Sequence, residues 1–231
     1  MFDLIIPCLY SHFKYIPTTL KSFHHQNLIN RIIIIINGIN NKPIDKTILK
    51  NYNKIDLILI NEKIFPGIAR NIGLKNAQSQ YVVFHDADDQ AHPDKLLILK
   101  NCFDKYQCDH ILHLIQPIEI NFLNYDLAKI KVIPVEKLRT YYYKNNKCDF
   151  GDIIGKRCSH GLSAVKKNKI IDIEWLNVKS GEDKDFNIKS LIKGNKIILV
   201  DAYLSKYDKY KMHIMKRYHP NAWNELNKNI N

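Results

Sequence analysis

Near-continuous apolar runs recur at residues 2–7, 31–36, 55–60 and 81–84, and between them apolar positions return at helical spacing. Short apolar runs bounded by turn residues read as strands buried on both faces, and the intervening segments read as helices. The pattern predicts helices over residues 13–26, 43–52 and 67–77, the first with Thr18 and Thr19 beside Pro17 near its start. Asn37-Gly38 is a turn signal closing the second strand, and a further helix is expected over 94–103 after His92-Pro93. Strand–helix alternation of this kind predicts a mostly parallel sheet flanked by helices, an α/β fold.

Beyond residue 107 the pattern loosens. Residues 108–135 hold apolar stretches of irregular spacing, expected to be antiparallel strands of a smaller second portion. Residues 138–147, rich in Tyr and Lys, are mobile or helical. Apolar stretches at 161–165 and 170–175 follow, then a helix over 186–192 with Gly194 as its C-cap and a last strand over 196–200. No internal repeat and no Gly/Pro/Ser-rich linker divides the chain, so one domain over 1–231 is expected, with halves 1–107 and 108–231.

The fourth apolar run leads straight into Asp86-Ala87-Asp88-Asp89. Three carboxylates within four positions repel one another unless a cation sits among them. At an extended strand end Asp86 and Asp88 would share a side, and two oxygens suit a hard divalent ion that keeps water and substrate phosphates as its other ligands. An acidic surface turn is the equal alternative at this point, because Asp also favours turns and N-caps. In parallel α/β sheets ligands sit beyond the carboxyl ends of the strands, where Pro7-Cys8-Leu9-Tyr10 and Asn37-Gly38 also lie.

The formal net charge of +12 raises the question of a polyanion partner. Yet only five of the 35 basic residues are Arg (Arg31, Arg70, Arg139, Arg157, Arg217), the residue suited to bidentate base and phosphate contacts. The excess of Lys, Ile and Asn is what A/T-rich coding produces, so no nucleic-acid partner is expected. Mean hydropathy of −0.29 and the lack of any long apolar run predict no membrane span, and no signal-peptide pattern opens the chain, pointing to the cytoplasm. Five cysteines without CxxC pairing read as reduced thiols.

The order of these motifs resembles the GT-A glycosyltransferases, and closely the inverting family 2 type. The resemblance rests on Leu4-Ile5-Ile6-Pro7-Cys8-Leu9-Tyr10, Ile35-Ile36-Asn37-Gly38, Gly67-Ile68-Ala69-Arg70-Asn71 with Gly73 and Ala77, Asp86-Ala87-Asp88-Asp89, and Glu182-Asp183. It implies a GT-A fold and transfer of a sugar from a nucleotide-sugar donor to an acceptor hydroxyl on a glycan, protein or lipid-linked molecule. It implies Asp88 as ligand of Mn²⁺ or Mg²⁺, with Asp86 acting through water or on the ribose, and His213 as a further metal or phosphate contact. Pro7, Leu9, Tyr10, Asn37, Gly67, Arg70 and Ala87 would join Asp86 in holding the donor. Asp183 would be the general base, with Glu182 orienting it or the acceptor.

Two departures narrow the expectation. Where the family carries an acid that reads the uracil edge, this chain has Ile36-Asn37; uridine stays the default base. The Gln-x-x-Arg-Trp motif of processive synthases is absent after Asp183, which favours a single transfer. A nucleotidyltransferase would need a Gly-rich loop after the first strand, but residues 7–14 contain no glycine. The remaining alternatives are a salt-sensitive polyanion-binding module and, less well matched, a glycosidase. The oligomeric state stays open.

Overall fold

The structure, a computed structural model, describes residues 1–50, 52 and 54–207. Its nine strands among the described residues form one mixed sheet. The parallel half contains β1 (Phe2–Leu9), β2 (Ile29–Asn37), β3 (Ile55–Ile60) and β4 (Tyr81–Phe84), in the order β3-β2-β1-β4. Five consecutive isoleucines, Ile32 to Ile36, are each at most 5% exposed, because both faces of β2 are covered. Alternation sends Leu4, Ile6 and Cys8 to one face and Ile5 to the other, giving separate apolar clusters above and below the sheet. One is covered by α1 (Ile16–Phe23) and α3 (Lys95–Tyr106); the other by α2 (Pro66–Asn76) and α6 (Glu182–Ile192).

The second half continues the same sheet. The strand β8 (Cys158–Lys166) runs antiparallel to β4 and to β6 (His110–Pro117). However, β6 runs parallel to β9 (Ile197–Tyr207), so residues 108–135 are not simply antiparallel as expected. Two short strands, β5 (Gln90–Ala91) and β7 (Val132–Ile133), pair antiparallel with β9. The Tyr- and Lys-rich segment is helical, α4 (Val135–Asn145), and a short helix α5 (Lys167–Ile170) follows β8.

Two expected helices are shorter than their apolar spacing implies. Pro17 sits in the first turn of α1, where its missing N–H costs nothing, but its ring blocks a helix continuing from residue 13. Residues Tyr10–Tyr15 therefore form a separate 3-10 turn. The segment 43–52 holds only a 3-10 turn, Lys46–Leu49, capped by Asp45 accepting from the Thr47 N–H at 2.9 Å. Asn40 and Asn41 before it have positive φ, which no helix tolerates.

Candidate active site

The carboxyl ends of β1, β2 and β4 open into a cavity of about 730 Å³. Pro7, Cys8 and Leu9 come from β1, Asn37 from β2, and Asp86, Ala87, Asp88 and Asp89 from the turn after β4. Facing them are Glu182, Asp183 and Lys184 at the start of α6 and the segment from Asp149 to Leu162. The strand ends thus meet in one crevice, as their position in an open α/β sheet leads one to expect.

Asp86 and Asp88 reach this cavity by a route different from strand alternation. The strand β4 ends at Phe84, and residues 87–88 form a turn in which the Asp89 N–H donates to the Asp86 carbonyl at 3.3 Å. Thr19 in α1 donates its hydroxyl to the carbonyls of Ala87 (2.8 Å) and Asp89 (3.0 Å), fixing that turn from behind.

Arg70 ties the two walls together. It is 3% exposed, donates from Nη2 to Asp86 at 2.8 Å and from Nη1 to Glu182 at 3.0 Å, and lies 4.6 Å over the Trp175 ring. Gly161 makes room for it, since a Cβ there would meet Nη2 at 3.0 Å. Burial raises the pKa of Asp86, opposed by Arg70 and reinforced by Asp88. Burial likewise raises Glu182, against the pull of Arg70. Among the described residues the cavity wall carries seven carboxylates (Asp86, Asp88, Asp89, Asp149, Asp152, Glu182, Asp183) against five cations (Lys63, Arg70, Lys156, Arg157, Lys184). A net-acidic pocket in a chain of +12 is a local arrangement that attracts a cation.

The fit of a divalent ion follows from the donors present. Among the described residues no three His, Cys, Asp or Glu side chains form a ready metal cage. Asp88 offers a carboxylate that is 16% exposed, with His12 Nδ1 3.5 Å from its Oδ2. One hard oxygen donor on a cavity wall suits Mg²⁺ or Mn²⁺, which keep several positions for water and phosphate oxygens. The two cavity cysteines are unsuited to nucleophilic chemistry: burial pushes the Cys8 thiol up to about 12 and Cys158 well above its ordinary value.

Several expected residues sit elsewhere or do something else. Tyr10 is not on the cavity wall; its hydroxyl donates to the Pro43 carbonyl at 3.0 Å, under Lys42. Gly67 also lies outside it, at a helix–loop contact where a Cβ would be 2.3 Å from the Leu176 carbonyl oxygen. Its role is close packing of α2. Asn37 lines the cavity, but its amide donates to the Cys8 carbonyl (3.2 Å) and accepts from the Ile64 N–H (3.2 Å). A carboxylate could not make that donation, which gives Asn a structural reason at this position. Of the large aromatics between residues 141 and 175, Phe150 and Trp175 are core, at 0% and 1% exposure. His213 lies outside the described residues.

The sequence pattern did not single out His12, Lys63, Asp149, Asp152, Lys156, Arg157, His160 or Lys184. Most belong to 149–162, where a 3-10 turn, Phe150–Ile154, replaces any periodic signal. The Phe150-Gly151-Asp152 turn chemistry was the only local hint.

The sequence profile described as Glycosyl transferase family 2 matches residues 3–169. The amylovoran biosynthesis glycosyltransferase AmsB of Erwinia amylovora is 29% identical over 140 residues, 58% of this chain and 46% of that protein. The crystal structure of S. aureus TarS 1–349 superposes with a TM-score of 0.66 at 19% identity, over 90% of this chain and 60% of that chain. TarS 1–349 in complex with UDP-GlcNAc gives 0.67 at 21% identity, over 90% of this chain and 58% of that chain. A mycobacterial protein gives 0.61 at 13%, over 90% and 67%. The chain spans about half the length of AmsB and 36% of the longer TarS chain, and the structural likenesses establish the GT-A type of fold.

Proposed function

The chain belongs to glycosyl transferase family 2, and from that premise we propose that it transfers one sugar from a nucleotide-sugar donor to an acceptor hydroxyl with inversion. The observation that carries this reading is one cavity in which Asp86 and Asp88 from the end of β4 face Glu182 and Asp183 from α6, bridged by Arg70. The UDP-GlcNAc complex of TarS favours a uridine diphosphate donor, and the curated AmsB is itself named a glycosyltransferase.

The donor occupies the ends of β1, β2 and β4, with Pro7, Leu9 and Asn37 beside its nucleoside. Asp88 would hold Mn²⁺ or Mg²⁺, which when bound would supply charge neutralisation at the diphosphate. Asp86, braced by Arg70, would orient the ribose or act on the ion through water. Asp183 accepts the acceptor's proton as that oxygen bonds to the anomeric carbon and the bond to the diphosphate oxygen breaks on the opposite face. Its carboxylate is anchored by the Lys184 N–H at 2.8 Å. Glu182, held by Arg70, keeps this first helical turn in register with the donor wall.

Thermal shift with UDP and Mn²⁺, beside release of free UDP from a panel of UDP-sugars, tests the reading. UDP with Mn²⁺ is expected to stabilise the protein, and Asp88→Ala to abolish the metal-dependent part. An unchanged shift and turnover in Asp88→Ala contradicts the proposal.

A further inference from the structure

The wall of the cavity opposite the donor strands is polar, and it contains a device suited to a hydroxyl group. His160, on β8, lines the cavity with a side chain 9% exposed. Asn187 of α6, fully buried, places its Nδ2 3.2 Å from His160 Nδ1 and 3.3 Å from the His160 carbonyl oxygen. A carbonyl can only accept, so the group facing it is the NH₂, and the same NH₂ donates to Nδ1. Burial lowers the His160 pKa, which keeps the ring neutral with its single proton on Nε2. Nε2 lies 3.8 Å from Asp149 Oδ1, too far for a direct hydrogen bond. Lys184 holds that carboxylate in place at 2.6 Å.

A donor N–H and an acceptor carboxylate separated by this gap can each meet one oxygen at about 2.8 Å. The oxygen must accept one hydrogen bond and donate another, which is the hydrogen-bonding capacity of a hydroxyl. The geometry points to Asp149 and His160 as a clamp for a non-reacting hydroxyl of a saccharide acceptor, free or at the end of a longer molecule. The inference rests on the transferase reading for the acceptor's place in the reaction. The rest of this wall fits the same class: Asp152, Ser159, Lys156 and Arg157 are polar, while Phe150, the large aromatic of the segment, is turned into the core. Sugars with several neighbouring hydroxyls match such a surface, whereas an alkyl or aromatic aglycone would strand its charges.

The test titrates methyl glycosides of glucose, galactose, N-acetylglucosamine and rhamnose by saturation-transfer NMR with UDP and Mg²⁺ present. At least one glycoside should bind the unaltered protein, and about tenfold more weakly in Asp149→Asn and His160→Phe, the loss of one hydrogen bond in each. His160→Gln, which keeps an N–H near the Nε2 position, should restore most of the binding, and UDP affinity should stay unchanged in all three. The proposal is overturned if no glycoside binds, if both variants bind like the parent, or if UDP and glycoside affinity fall together. Glycoside binding with this dependence but no consumption of any UDP-sugar would leave the clamp standing and remove the transferase reading.

Discussion

Arg70 is the residue on which the cavity's two walls depend. Its guanidinium satisfies Asp86 and Glu182 at once, and its plane rests on Trp175, which in turn stacks on Phe186 at 4.1 Å. Lys in its place would offer a point charge without the fork that reaches both carboxylates. Arg70→Met should leave two crowded carboxylates with raised pKa values and cost about 3 kcal/mol of stability, the low end for a broken buried pair because Asp86 is partly exposed. Urea denaturation measures this, and Arg70→Lys should recover only part of it. The carboxylates themselves were legible in the chain, because three acids at a strand end are conspicuous. Asp149 and His160 were not, since their pairing is made by a turn and a strand edge eleven positions apart and leaves no periodic trace.

At the scale of elements, α2 carries the tightest constraint. Its N-terminal turn lies against the loop 173–176, with Asn71 donating to the Trp175 carbonyl (3.0 Å) and accepting from the Trp175 N–H (2.9 Å). A methyl group at Gly67 would have to displace the Leu176 backbone, not a pliable side chain. Gly67→Ala should therefore destabilise by about 2 kcal/mol, the usual scale for overpacking, and loosen Arg70 three residues on. A thermal melt beside UDP affinity checks both effects. Strands were readable from their apolar runs and α2 from its spacing. The helix expected over 13–26 was cut by Pro17, and the one over 43–52 failed because Asn40, Asn41 and Asp45 favour turns over a continuous helix. Apolar spacing alone does not weigh such local competition.

For the whole molecule, the parallel order of β1–β4 could be foreseen from strand–helix alternation. The parallel pairing of β6 with β9 could not, because it joins segments about 87 residues apart across a stretch of irregular apolar spacing. That second half also holds two histidines with a global consequence. His110 and His113 are fully buried, and burial lowers each from 6.5 to about 3. The unfolded chain takes up these protons below its ordinary histidine pKa while the folded chain does not, so stability must fall as pH drops from 6.5 toward 3. Each histidine contributes a slope of about 1.4 kcal/mol per pH unit inside that window. Urea midpoints between pH 7 and 5 should show it, and His113→Gln should flatten the slope.

The division of labour between the cavity's two walls is the central claim, and single-turnover transfer from a UDP-sugar in Asp183→Asn reads it most directly. The account predicts that UDP and Mn²⁺ bind Asp183→Asn as they bind the parent protein, while sugar transfer falls by about a thousandfold or more, the scale of a lost general base. Transfer at the parent rate in Asp183→Asn, with Asp88 intact, would contradict it.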